Sequence, residues 1–104
     1  MGRVKPPHRL LTPLMKTIFK YTLTGPSCEI LMPKDAEILH VGEQHPHLVI
    51  WALVDKKYIE EQVTENRFFY IQATGEDFSD EGLSFVGTVQ ASNGLVWHIF
   101  EDFI

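Results

Sequence analysis

The chain has 104 residues, 44% of them hydrophobic and 22% charged, with a formal net charge of −5 and a single cysteine. That length makes one domain able to bury a core of its own. The lone Cys28 excludes an intramolecular disulfide, and an acidic balance excludes general binding to a phosphate backbone.

The charge is unevenly spread. Up to Lys20 every charged residue is basic (Arg3, Lys5, Arg9, Lys16, Lys20), whereas from Tyr58 onward Arg67 stands alone against nine carboxylates. Residues 1–14 carry Pro6, Pro7 and Pro13 and show no periodicity, so they read as a flexible basic extension, with residues 15–104 as a single β-rich domain. Leu10 to Leu14 is too short and too interrupted for a signal peptide or a membrane span. Met15 reads as a natural starting point, and the cytoplasm of a bacterial host is the expected address.

Thr17, Phe19, Tyr21 and Leu23 alternate with Ile18, Lys20 and Thr22, the period of a half-buried strand. Gly25-Pro26-Ser27 supplies a turn, and Cys28 to Met32 is a second strand. Pro33-Lys34-Asp35 turns the chain into a third strand over Ala36 to Val41, and Gly42 to Pro46 reads as a loop. The unbroken apolar run Leu48 to Val54 predicts a central strand covered on both faces. Tyr58 to Asn66 is open between a short amphipathic helix and a long loop, because Ile59 and Val63 have helical spacing while the flanks are polar. Arg67 to Thr74 is strand-like, and Gly75 to Gly82 is an acidic loop with Phe78 as its anchor.

The last twenty residues hold two apolar runs around Asn93-Gly94, a strong hairpin signal. A two-residue loop would pair Gln90 with Trp97 and Val89 with His98. Phe85, Val89, Ala91, Val96, His98 and Phe100 would then face a core, and Val86, Leu95, Trp97 and Ile99 a second, apolar face suited to a subunit interface. About seven strands at this turn spacing predict an all-β fold, with one short helix at most: a compact antiparallel sandwich or barrel.

Chemistry is hard to place. His40, His45 and His47 match no strong metal signature, so surface histidines around a turn explain them and no metal or cofactor is expected. Asp77 with Asp80 offers a carboxylate pair for acid and base work, but solvation of an acidic loop explains it fully; Glu101 and Asp102 point to opposite faces. Cys28 and Ser84 have no nucleophile signature, and His98 is expected in the core. The aromatics are too many for one small core, because the neighbours Phe68 and Phe69 must take opposite faces. The surplus suits an interface or a ligand site.

The blocks KTIFKYTL, ILMPKDAEIL, LVIWALVD, RFFYIQATG, SFVGTVQ and LVWHIFED, in that order, resemble a family of small bacteriophage and prophage proteins carried as a domain of unknown function. The resemblance covers most of the chain after Met15. It implies a phage-type origin, a compact β-rich fold and no established activity, and it supplies no catalytic residues. Small phage proteins of this kind often act by binding, including against host defence.

The leading expectation is therefore a non-catalytic binding protein, a homo-oligomer that sequesters a small nucleotide signal at a subunit boundary, with Lys20, Arg67, Tyr70 and Trp97 as cationic and stacking contacts. An alternative is an acidic inhibitor or adaptor that binds a host protein through Glu76, Asp77, Asp80 and Glu81. A hydrolase stands third.

Overall fold

Strict alternation along Lys16–Leu23 (β1) puts Phe19, Tyr21 and the buried Leu23 on one face and Lys20 on the other. The same period recurs in Ser27–Pro33 (β2), Glu37–Gln44 (β3), His47–Asp55 (β4), Thr64–Ala73 (β5), Leu83–Gln90 (β6) and Val96–Asp102 (β7). A computed structural model describes residues 14–103; the expectations for the first thirteen residues lie outside them. The strands form two antiparallel sheets, β1-β4-β3 and β2-β5-β7-β6. The fold is thus an open all-β sandwich and not a closed barrel.

Each strand gives one face to the space between the sheets. From β4 these residues are Ile50, Ala52 and Val54, all fully buried, and from the facing sheet Phe69, Ile71, Val89 and Ile99. Burying a side chain such as Phe69 or Ile99 stabilises the fold by roughly 2 to 3 kcal/mol each relative to exposure. The unbroken apolar run of β4 is covered by the other sheet on one side only. Its second face carries Val49, Trp51 and Leu53; Val49 is nevertheless buried, Trp51 and Leu53 are half-buried, and His40 stacks on Trp51 with ring centroids 5.9 Å apart.

The single helix, Lys56–Glu60 (α1), resolves the ambiguous stretch after β4. Asp55 caps it by accepting a hydrogen bond from the Lys57 amide at 2.9 Å, satisfying an N–H that the first helical turn leaves without a partner. After this one turn β5 starts at Thr64, earlier than the sequence pattern predicts, since the polar Thr64 to Asn66 still pair with Pro33, Met32 and Leu31. Strand β3 likewise continues through Gly42 to Gln44, and only His45-Pro46 remains as the turn into β4.

The terminal hairpin departs from its expected register by one residue. Ala91, not Ser92, pairs with Leu95, its amide donating to the Leu95 carbonyl at 2.7 Å, so Ser92, Asn93 and Gly94 form a three-residue loop. Only Gly94 takes a positive φ, of 89°, while the Asn93 side chain accepts from the Leu95 amide at 3.0 Å. This is a type I turn closed by a left-handed glycine. The shift brings Val89 opposite Trp97 and Thr88 opposite His98, and a bulge at Val86 then sets Phe85 opposite Phe100. Trp97 and Ile99 consequently face the core, and His98 and Phe100 face outward. A one-residue slip exchanges the faces of a strand, which is why both expected faces are reversed along β7.

Strands β3 and β6, edges of different sheets, meet at Val41 and Gly87. A β-carbon at Gly87 would lie 2.7 Å from Val41 Cγ2, closer than packed carbons sit, although the backbone there is ordinary. Val41 is buried and branched, so it cannot swing aside. Gly87→Ala should therefore cost about 1 to 3 kcal/mol by overpacking. In a Val41→Ala background, which removes the offending methyl, the same change should cost much less. Urea denaturation of the four proteins of this cycle measures both; an equal cost in the two backgrounds would refute the contact as its cause.

Candidate functional site

The seven strands end in two rims and leave two outer faces, and the polar residues sort among these four places. At the rim holding the end of β7, Arg67 extends between the sheets. Its Nη2 donates to Glu101 Oε1 at 3.0 Å, its Nε donates to Glu101 Oε2, and its Nη1 donates to the Ala36 carbonyl at 2.8 Å. Both side chains are largely covered, at 17% and 16% exposure, so the bidentate pair is shielded from water. Glu101 holds the guanidinium even more firmly protonated than usual, by its hydrogen bonds first and its charge second. Arg67 thus clamps the two sheets together, through β7 on one side and the chain leading into β3 on the other. Arg67→Met should destabilise the protein by about 2 kcal/mol, because Glu101 is left desolvated without its partner. Adding Glu101→Gln should recover part of that loss in the same denaturation assay.

At the opposite rim, Glu43 at the end of β3 reaches the terminal hairpin. Its Oε1 accepts from the Ser92 amide at 2.8 Å and its Oε2 accepts from the Ser92 hydroxyl at 3.1 Å. His45 Nδ1 lies 3.5 Å from Ser92 Oγ and 3.7 Å from Glu43 Oε2. The three residue types invite comparison with a hydrolytic triad, but the order is wrong: the carboxylate, not the imidazole, holds the hydroxyl. The Ser92 amide holds the Glu43 carboxyl below the usual carboxylate range, with Ser92 Oγ and His45 adding to the effect. A lowered folded-state pKa stabilises the fold above the unfolded value and loses that contribution as pH falls through the folded one. The melting-temperature gap between wild type and Glu43→Gln should therefore be present at neutral pH and close below roughly pH 4; a gap constant with pH would contradict the assignment.

Beside this tie lies a cavity of about 510 Å³, where the ends of the two sheets splay apart. Leu23, Leu48, Ile71 and Trp97 give it apolar walls, and Glu43 and Glu76 stand among its polar residues.

The outer face of the four-stranded sheet is aromatic. Tyr70, Phe100 and Phe85 sit opposite one another across β5, β7 and β6. Phe85 meets Phe100 edge-on at 5.5 Å, and Phe78 lies 5.1 Å from Phe100 on the acidic connection between β5 and β6. That connection must run the length of the sheet, because β5 and β6 are parallel with β7 between them; Phe78 fixes its course across the face. Phe85 is 59% exposed, Leu31 59%, Phe78 45% and Phe68 42%. Nearer the hairpin, His98 hydrogen-bonds Thr74 Oγ1 at 2.8 Å and Thr88 Oγ1 at 3.0 Å on this same face, outside the core expected for it.

The four residues expected to hold an anionic ligand do not converge within one chain. Lys20 lies on the outer face of the three-stranded sheet, donating to Gln44 Oε1 at 2.6 Å, and Arg67 is held in its clamp. Tyr70 belongs to the outer aromatic row, and Trp97 lines the inner cavity. Of the residues expected at an interface, Val86, Trp97 and Ile99 pack into the chain's own core, and only Leu95, 49% exposed at the hairpin tip, stays outward. The three histidines separate as well: His40 stacks on Trp51, His45 neighbours Glu43, and His47 lines the cavity.

One gathering of cations went unread in the sequence. Lys34 Nζ and Lys57 Nζ lie 5.6 and 5.3 Å from the centroid of the Tyr58 ring. Lys34 and Tyr58 are distant in sequence, and only the pairing of β2 with β5 brings their turns together.

A family model for a domain of unknown function, DUF7352, matches residues 15–103. The chain belongs to the DUF7352 family. No curated relative and no solved structure matches it. The expected domain of unknown function is thus found over residues 15–103, without the match showing a phage origin, and the sandwich, its aromatic face and its two rims describe a DUF7352 domain. No helix among the described residues of this domain is long and apolar enough to cross a membrane.

Proposed function

We propose that this DUF7352 protein is a non-catalytic binding module that captures a partner protein through the aromatic face of its four-stranded sheet. The observation that carries the reading is the row Tyr70, Phe100 and Phe85, extended by Phe78 and left open to solvent at Phe68 and Leu31. Exposed aromatics gathered into one patch are the composition of an interface centre. Glu29 sits opposite Phe68 across β2 and β5, and Asp77, Asp80 and Glu81 flank Phe78 along the acidic connection, a frame of exposed carboxylates. A partner with apolar anchors ringed by lysine or arginine complements that pattern, and the acidic frame steers its approach. A second copy of this chain, itself acidic, would bring like charges together there.

The acidic adaptor reading thereby gains an apolar centre to supply affinity. A phage-type protein that occupies a basic surface of a host defence component fits the description, and the host cytoplasm would be its place of action. The test is capture from the host, comparing wild type with Phe85→Ser and with the double change Asp77→Lys and Asp80→Lys. One partner should be retained by wild type in low salt, weakened as salt rises, and lost from both variants. Equal retention by all three proteins, or no partner at all, would sink the reading.

A second reading is supported by Lys34 and Lys57 around Tyr58: a phosphate-bearing ligand such as a nucleotide signal, its base on the ring and its phosphates on the lysines. A thermal-shift panel of mono- and cyclic dinucleotides tests this. Stabilisation should appear in wild type and disappear in Lys34→Ala with Lys57→Ala; a flat panel removes the reading.

A further inference from the structure

The cavity at the hairpin end joins apolar walls to carboxylates. Four connections meet around it: the Gly25-Pro26 turn, the His45-Pro46 turn, the start of the acidic connection at Glu76, and the loop carrying Asn93. Its volume of about 510 Å³ lies in the range of small-molecule sites. Leu23 and Ile71, 5% and 8% exposed, belong to the core and form the inner wall of the cavity, and the turns close around its mouth.

Among the described residues no lysine or arginine lines this space, whereas two carboxylates do. Both are held in position. Glu43 is fixed by the Ser92 amide and hydroxyl, which also keep it ionised. Glu76 Oε1 accepts from the Ala73 amide at 2.7 Å, while its own amide donates to the Ala73 carbonyl at 3.1 Å. Fixed carboxylates beside an apolar wall repel phosphates and carboxylic acids and attract a positive group. Trp97, on the wall, adds an indole whose face attracts cations.

We infer that this cavity binds a small organic cation, an ammonium or guanidinium group carried on an apolar body. The body lies against Leu48, Ile71 and Trp97, and the charged end meets Glu76 and Glu43. This site is independent of the aromatic docking face, and its test does not depend on that face being used.

Phenethylamine, 3-phenylpropionate and 2-phenylethanol share one apolar body and differ in charge, which makes them suitable probes. Titrations of the full chain followed by calorimetry and by the Trp97 indole N–H resonance should show saturable binding of phenethylamine, with the alcohol about tenfold weaker and the carboxylate not binding. Glu76→Gln keeps the acceptor for the Ala73 amide but removes the charge, and should weaken phenethylamine about fivefold to tenfold. Glu37→Gln, exposed at the start of β3 and outside the cavity, should leave the affinity unchanged. An acetylated lysyl peptide tested beside phenethylamine distinguishes a protein-borne cation from a free amine as the occupant. Equal affinity for the carboxylate, no saturation by any cation up to the millimolar range, or equal weakening by Glu37→Gln would overturn the assignment.

Discussion

Side chains alternate across a strand, so the loop Ser92 to Gly94 determines what every residue of β6 and β7 faces. Three loop residues, with Gly94 alone in the left-handed region, place Trp97 and Ile99 against the other sheet and His98 and Phe100 outside. The bulge at Val86 then restores alignment in its own way: it lets Val86 reach the core while Phe85 turns out beside Phe100. The aromatic face, the wall of the cavity and the close approach at Gly87 all follow from this one register. The tie between Glu43 and Ser92 holds the loop that sets it.

The same logic separates what the sequence could disclose from what it could not. Strand β1 announces itself by the alternation of its apolar residues, and β4 by a short unbroken apolar run, too short for an ordinary helix, that fits a strand. Phe68 and Phe69 had to part, and they do, with Phe69 fully buried and Phe68 42% exposed. The hairpin was visible, but Asn93-Gly94 fits either a two-residue loop, with both residues left-handed, or a three-residue loop in which the asparagine side chain does the capping. The choice depends on packing across the two sheets, which local sequence does not contain. Residues brought together from distant turns were equally hidden: Lys34 with Tyr58, Glu43 with Ser92, and Arg67 with Ala36 have no shared motif. Family membership adds no site residues, so the sites rest on geometry alone.

Charge and apolar surface are distributed in a way that the core does not require. Arg67 is the one basic residue after Tyr58, and the fold holds it against Glu101 within a sheet-to-sheet clamp. The carboxylates Asp77, Asp80 and Glu81 lie on the connection between β5 and β6, which carries no lysine or arginine. Among the described residues, lysines occur in β1, the turn after β2, and α1. An anion approaching the acidic connection meets repulsion, whereas Lys34 and Lys57 around Tyr58 and the lysines of β1 offer the opposite charge.

A solvated sheet face in a sandwich ordinarily carries the polar half of each alternation. Here Leu31, Phe68 and Phe85 occupy those positions, Phe78 adds to them from the acidic connection, and each leaves apolar area in water, at the cost of solubility and with a risk of association. The acidic connection offsets that risk, because it crosses the face at Phe78 and brings like charge to any second copy that would stack there. Phe78 also tethers the connection, which could otherwise satisfy its length on the polar side of the rim. In the docking role proposed above, an anchor of this kind joined to a frame of carboxylates would favour unlike partners over self-association, since the apolar contact is open to both but the charge repels only one of them.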